Sequence, residues 1–176
     1  MASKEKQEGP VFEGTGSRRQ YYEALVNEYY SDIFRYAYWL SKDRSTAEDL
    51  AQETFLRAWR SIDSLENAGA AKAWLFTILR RENARLYEKF RPELDDIEDM
   101  ELSDKDADTP DQSMERELLY RAMEKLEPDY REPLLLQIVG GFSGEEIANI
   151  LNLNNNTVMT RLFRARNKLK QELDNS

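Results

Sequence analysis

The sequence predicts an all-α fold of two small helical domains joined by an acidic flexible linker, the C-terminal one a helix-turn-helix bundle. Three observations carry this expectation. Apolar residues recur at helical spacing over most of the 176 residues, with only 7 Gly and 5 Pro to interrupt them. Between Pro92 and Gln112, Lys105 is the lone base in a run of Asp and Glu, a composition that repels itself and buries little. Finally, the chain has a net charge of −9, yet every charged residue between Glu146 and Glu172 is Arg or Lys. The expected boundaries are a flexible tail over 1–17, a helical domain over 18–91, the linker over 92–112 and the second domain over 113–176.

Taken in order, the tail is polar and contains Gly9, Pro10, Gly14 and Gly16, although Val11 and Phe12 offer a docking point. From Arg18 to Leu40, Tyr22, Leu25, Val26, Tyr29, Tyr30, Ile33, Phe34, Ala37 and Leu40 fit one or two amphipathic helices. Ser45 and Glu48 have the spacing of a capping box, so a new helix is expected to start there. Ala47, Leu50, Ala51, Thr54, Phe55, Ala58, Trp59 and Ile62 form its inner face, and Asp49, Gln52, Glu53, Leu56 and Arg60 the outer one. Leu56 is an apolar side chain on a polar face; it reads either as an ordinary exposed leucine or as the centre of a contact with a partner helix.

Ser64 to Ala71 is a loop of small residues. In the helix that follows, Leu75, Ile78, Leu79 and Leu86 are expected in the core, while Arg80, Arg81, Arg85, Lys89 and Arg91 form a basic surface interleaved with Trp74, Phe76 and Tyr87. Bases with aromatic neighbours can hold a nucleic-acid backbone and stack on unpaired bases; alternatively the aromatics are core and the arginines are solvated. After the linker, Leu118, Leu119, Ala122, Met123 and Leu126 mark one helix. Leu134, Leu135, Leu136, Ile138 and Val139 mark another, with Pro133 at a position where it kinks a helix.

The last stretch reads as a short helix, a tight turn and a longer helix. Ile147, Ala148 and Leu151 give the first helix one apolar face, and Asn152 suits the left-handed residue that ends it. Asn155 or Asn156 is expected to cap the second helix, whose inner stripe is Val158, Leu162, Ala165 and Leu169. Thr157, Met159, Thr160, Arg161, Phe163, Arg164, Arg166 and Lys168 are left to face outward. A basic helix kept free of carboxylates in an acidic chain points to a polyanion, and this motif places its second helix in the major groove of DNA.

The composition excludes much else. With no Cys and no His there are no disulfides, no Cys/His zinc sites and no imidazole bases. No acid/base pair, nucleophile or metal cluster stands out from the surface charge, so neither an enzyme nor a cofactor is expected. No apolar run spans a bilayer and the N-terminus lacks a signal-peptide core, so no membrane insertion is expected. The cysteine-free composition suits a cytoplasmic protein.

Two segments resemble a known family. Ala47-Glu48-Asp49-Leu50-Ala51-Gln52-Glu53-Thr54-Phe55-Leu56-Arg57-Ala58-Trp59, followed by Trp74-Leu75-Phe76-Thr77-Ile78, is similar to sigma region 2. Leu126-Glu127-Pro128, Gly140-Gly141-Phe142-Ser143, Glu146-Ile147-Ala148 and the Thr157–Arg166 helix resemble sigma region 4. Together they resemble a bacterial extracytoplasmic-function (ECF) sigma factor of the sigma-70 family. The resemblance implies that Asp49, Gln52, Glu53 and Leu56 dock on the β′ clamp helices of core RNA polymerase, with the β flap as a further contact. It implies that Ser64, Leu65, Glu66, Asn67, Phe76, Arg80, Arg81 and Arg85 act on the minus-10 element, a flipped base entering the loop. Asn156, Thr157, Met159, Thr160, Arg161, Phe163, Arg164 and Arg166 would read the minus-35 duplex, and an anti-sigma factor is an implied partner. Arg81 stands where many members carry Asn, and Met159 where many carry Lys or Arg. An autonomous helix-turn-helix regulator, or a sigma mimic that titrates an anti-sigma factor, are the alternative readings.

Overall fold

A computed structural model describes residues 15–90 and 110–175, side chains over a slightly shorter span. The described chain is helical: α1 (Thr15–Ser41), α2 (Arg44–Ser61), α3 (Ala71–Phe90), α4 (Pro110–Glu124), α5 (Pro128–Ile138), α6 (Gly144–Leu151) and α7 (Asn155–Asp174), with 3-10 turns at Ile62–Ser64 and Ala68–Ala70. These helices fall into two compact units, α1–α3 and α4–α7. The expected tail and acidic linker lie outside the described residues, apart from Thr15–Ser17 and Pro110–Gln112, which belong to the first turns of α1 and α4.

In the first unit each helix packs against the other two. Ile33, Tyr36 and Ala37 of α1, Ala47, Leu50, Ala51, Phe55 and Ala58 of α2 and Leu75, Phe76 and Leu79 of α3 are buried between the three helices, while Leu25 joins Tyr21, Ile62 and Ala71 in a separate cluster. Thr54 is buried as well, its hydroxyl donating to the Leu50 carbonyl at 2.7 Å, so its polarity is satisfied within the helix. Residues 18–40 make one helix, because nothing in them breaks the apolar stripe.

The start of α2 differs from the expected capping box. Asp43, not Ser45, is the cap: its carboxylate accepts from the Thr46 backbone N–H at 3.0 Å and from the Thr46 hydroxyl at 2.6 Å. Lys42, at φ 56°, turns the chain so that Asp43 faces the free N–H groups while Arg44 is already helical. Glu48 instead pairs with Arg44 at 3.3 Å. The Thr46 hydroxyl, and then its backbone N–H, hold the Asp43 carboxyl below its usual pKa. Trp59 also departs from the inner-face expectation. It is 37% exposed, with the Arg18 guanidinium 4.7 Å above its ring and Tyr22 edge-on at 5.0 Å.

In the second unit α7 packs against α4, α5 and α6. Met123, Leu126, Leu134, Leu136, Ile147, Val158, Leu162 and Ala165 form its core. Pro133 is buried inside α5, which runs on through it to Ile138. Ile138, expected in the apolar block, is 54% exposed because it lies on the side of α5 away from the other helices. The α5–α6 connection depends on Gly140: a Cβ there would fall 2.6 Å from both the Leu136 carbonyl oxygen and the Phe142 ring.

Candidate nucleic-acid interface

The helix-turn-helix is built by three local devices. Ser143 and Glu146 cap α6 reciprocally, the Ser143 N–H donating to Glu146 Oε1 at 3.2 Å and the Glu146 N–H to Ser143 Oγ at 3.2 Å. The signature Ser-x-x-Glu ahead of Ile147 carries this signal in the sequence. Asn152 ends α6 at φ 53°, ψ 48°, as its side chain suggested. The cap of α7 is Asn154, whose side chain accepts from the Asn156 N–H at 2.8 Å. The left-handed turn is so tight that Asn155 and Asn156, the expected caps, are already helical.

Asn156, Met159, Thr160, Phe163 and Arg164 are exposed along α7, whose opposite side buries Val158, Leu162 and Ala165. Phe163 is 67% exposed and Met159 53%, unusual values for apolar side chains and consistent with a face that meets something. Thr157 and Arg161 are half-buried at its edge. Arg166 is exposed but donates to the Gln137 side chain, which ties α7 to α5. A polar groove of about 430 Å³ borders the face, lined by Glu127, Asp129 and Tyr130 of the α5 start and by Asn156, Thr157, Thr160, Arg161 and Arg164. There the helix is not purely basic in its surroundings: Asp129 pairs with Arg161 at 3.9 Å and Glu127 with Lys168 at 3.8 Å. Lys168 also sits 4.9 Å over the Tyr130 ring. Among the described residues Arg164 has no ion-pair partner.

In the first unit the outer face of α2 is open. Asp49, Gln52 and Leu56 are exposed, Leu56 at 50%, and Glu53 is half-buried. Beside them Tyr22, Val26, Tyr30, Gln52, Phe55 and Leu56 line a shallow, mostly apolar groove of about 310 Å³ between α1 and α2.

The loop and α3 divide the expected minus-10 residues. Ser64 and Glu66 are exposed, the Ser64 hydroxyl donating to the Ser61 carbonyl at 2.6 Å. Asn67 is exposed and accepts from the Gly69 N–H at 2.9 Å, which shapes the loop. Leu65 is half-buried against the cluster of Tyr21, Leu25, Ile62 and Ala71, so it anchors the loop. Arg81 and Arg85 are exposed and Arg80 half-buried. Phe76 corrects the expectation: it has no exposed surface and packs 5.2 Å from the Tyr36 ring, so it belongs to the core and cannot receive a base. Trp74 is half-buried against the same cluster as Leu65, and Arg91 lies outside the described residues.

A helical unit with an open amphipathic helix, followed by a capped helix-turn-helix, is the pattern of a multi-part transcription factor, and similarity gives it a family. The family model for Sigma-70 region 2 matches residues 25–93, and that for Sigma-70, region 4 matches residues 116–169. The ECF RNA polymerase sigma factor EcfG of Rhodopseudomonas palustris is 40% identical over 132 residues, 74% of this chain and 72% of that protein. The ECF RNA polymerase sigma factor SigM of Bacillus subtilis is 32% identical over 149 residues, 83% of this chain and 91% of that protein. The sigma factor RpoE of Bartonella quintana, solved in complex with the anti-sigma factor NepR, aligns at a TM-score of 0.68 and 31% identity, covering 87% of this chain and 96% of that one. The chain therefore belongs to the ECF sigma factors of the sigma-70 family. No helix among the described residues is long and apolar enough to cross a membrane.

Proposed function

We propose that this sigma factor directs core RNA polymerase to a set of promoters through three surfaces. The outer face of α2, with Asp49, Gln52, Glu53 and Leu56, docks on the clamp helices of β′, and the second unit contacts the β flap. The loop around Ser64, Glu66 and Asn67, with Arg80, Arg81 and Arg85 of α3, holds the melted minus-10 strand. The exposed face of α7 enters the major groove of the minus-35 element, where Arg164 is available for a guanine edge or a phosphate and Met159 for a thymine methyl. The chain itself supplies recognition and strand separation rather than a catalytic group, and the expected domain division, 18–91 and 113–176 about the acidic run, fits those two tasks. An anti-sigma factor is the natural inhibitor, as it is the partner in the related solved complex.

The observation that carries this reading is the coexistence of a free, apolar-centred helix face in one unit and a capped recognition helix in the other. A DNA-binding regulator needs only the second. Transcription from a promoter library by core polymerase, with and without the chain, tests it: new start sites that depend on the chain are expected. Tight, specific DNA binding by the chain alone, with no new initiation, would favour an autonomous regulator instead.

A further inference from the structure

Between the α2 face and the basic surface of α3 lies a buried carboxylate that neither surface accounts for. Glu82 is 7% exposed. Its Oε1 lies 2.5 Å from Arg57 Nε and accepts from Arg85 Nη1 at 3.1 Å. The same Arg57 Nε lies 3.2 Å from Glu53 Oε1. Two carboxylates thus compete for one N–H, and that N–H is aimed well at neither, since it makes no hydrogen bond of good geometry. One side of this chain of charges is Glu53, half-buried on the α2 face; the other is Arg85, whose side chain is 58% exposed on α3.

We propose that Glu82 is a positioning residue that couples occupancy of the α2 face to the availability of Arg85 for DNA. The proposal rests on the assignment of those two surfaces made above. In the free chain Arg57 is shared between Glu82 and Glu53, so it neutralises Glu82 only in part, and Glu82 also holds Arg85. A donor from a docked partner that engages Glu53 leaves Arg57 to Glu82 alone. Glu82 is then neutralised from the α2 side, its hold on Arg85 weakens, and Arg85 turns to a phosphate. The exchange needs no backbone movement, because each arginine reaches Glu82 through a flexible side chain. The burial of Glu82 strengthens it, since a carboxylate shielded from water responds more to a change in its partners than an exposed one does.

The experiment uses a fluorescent single-stranded DNA from the minus-10 region of a promoter on which the holoenzyme initiates. Binding is measured for the free chain and for holoenzyme, with and without Arg85→Ala. Arg85→Ala is expected to weaken holoenzyme binding about two- to fivefold, the scale of one screened charge contact, and free-chain binding distinctly less. In a Glu82→Gln background the substitution should cost the same in both states, and Glu82→Asp, which keeps the charge, should restore the difference. Equal losses in both states with Glu82 intact, or a difference that survives Glu82→Gln, overturn the coupling. Should Glu82→Gln lower the melting temperature sharply, Glu53→Gln in the free chain decides: it should raise the Arg85 contribution to the holoenzyme level, and an unchanged contribution overturns the proposal. Arg85→Ala without effect in either state overturns the DNA assignment of α3, and the coupling with it. A loss of core affinity in Leu56→Asp reports on the docking assignment separately.

Discussion

Leu56 offers the sharpest test of the polymerase-binding surface. Fully burying a leucine side chain contributes about 1.5–3 kcal/mol. Leu56 is 50% exposed in the free chain, so docking can bury about half as much again, worth roughly 0.8–1.5 kcal/mol. Leu56→Ala should therefore weaken binding to core polymerase about four- to thirteenfold. Leu56→Asp should weaken it further, because it sets a carboxylate into a mostly apolar groove. Neither change should move the melting temperature much, since surface substitutions are usually within about 0.5 kcal/mol. Affinity is measured by competition for core polymerase against a labelled wild-type chain, and folding by circular dichroism. A collapse of the fold would show that Leu56 supports its own core, and wild-type affinity in Leu56→Asp would remove the docking assignment.

Three further outcomes follow from the geometry. Asp43→Ala should cost about 0.5–2 kcal/mol in denaturant unfolding, the range for a lost cap. Because the folded-state pKa of Asp43 is lowered, its contribution is present above the unfolded carboxylate value and is lost as pH falls through the folded one, so wild type and variant should converge in acid. Phe76→Ala should cost about 3–5 kcal/mol of stability, impairing duplex and pre-melted promoters alike; a selective defect on duplex templates would return Phe76 to the DNA-opening role. Met159→Arg should change the minus-35 sequence selected from a randomised library by holoenzyme, whereas Arg164→Ala should mainly lower promoter use; an unchanged preference would show that α7 is not seated in the groove as proposed.

The helix-turn-helix was legible because its signals are local. Ile147 and Ala148 share a face by spacing, Asn152 tolerates the left-handed turn, and Val158, Leu162 and Ala165 recur along one stripe. Leu56 was legible for the same reason: a helix with a clear polar side shows which residue is out of place. Phe76 was not. Trp74, Leu75, Phe76, Ile78 and Leu79 surround α3 with apolar groups because that helix packs against both α1 and α2, and spacing ranks faces only when one of them is polar. The choice of cap turned on neighbours. Asp43 and Ser45 are both good caps, and the backbone of Lys42 decided between them. Glu82 was invisible because its decisive partner, Arg57, belongs to another helix. Likewise Asp129 and Glu127 reach α7 from α5, so a stretch free of carboxylates in sequence is flanked by them in space.

That last arrangement bears on how the free chain meets DNA. Arg161 and Lys168 are both paired with acids at the start of α5, and the whole chain carries a net charge of −9, the charged residues between Pro92 and Gln112 being all acidic but Lys105. A phosphate approaching α7 must displace Asp129 from Arg161 while its exposed carboxylate remains nearby. Such exposed pairs are worth about 0.2–1 kcal/mol each, so Asp129→Asn should raise the affinity of the free chain for promoter duplex at low salt by up to about fivefold. Screening predicts that the gain shrinks as salt rises. It should be nearly independent of sequence, because the substitution removes a repulsion and adds no contact to a base edge. Fluorescence anisotropy with a minus-35 duplex and a scrambled one, at several salt concentrations, measures all three features. A gain confined to the correct duplex would mean that Asp129 aims Arg161 at a base. No gain at any salt would mean that the Asp129–Arg161 pair does not compete with DNA.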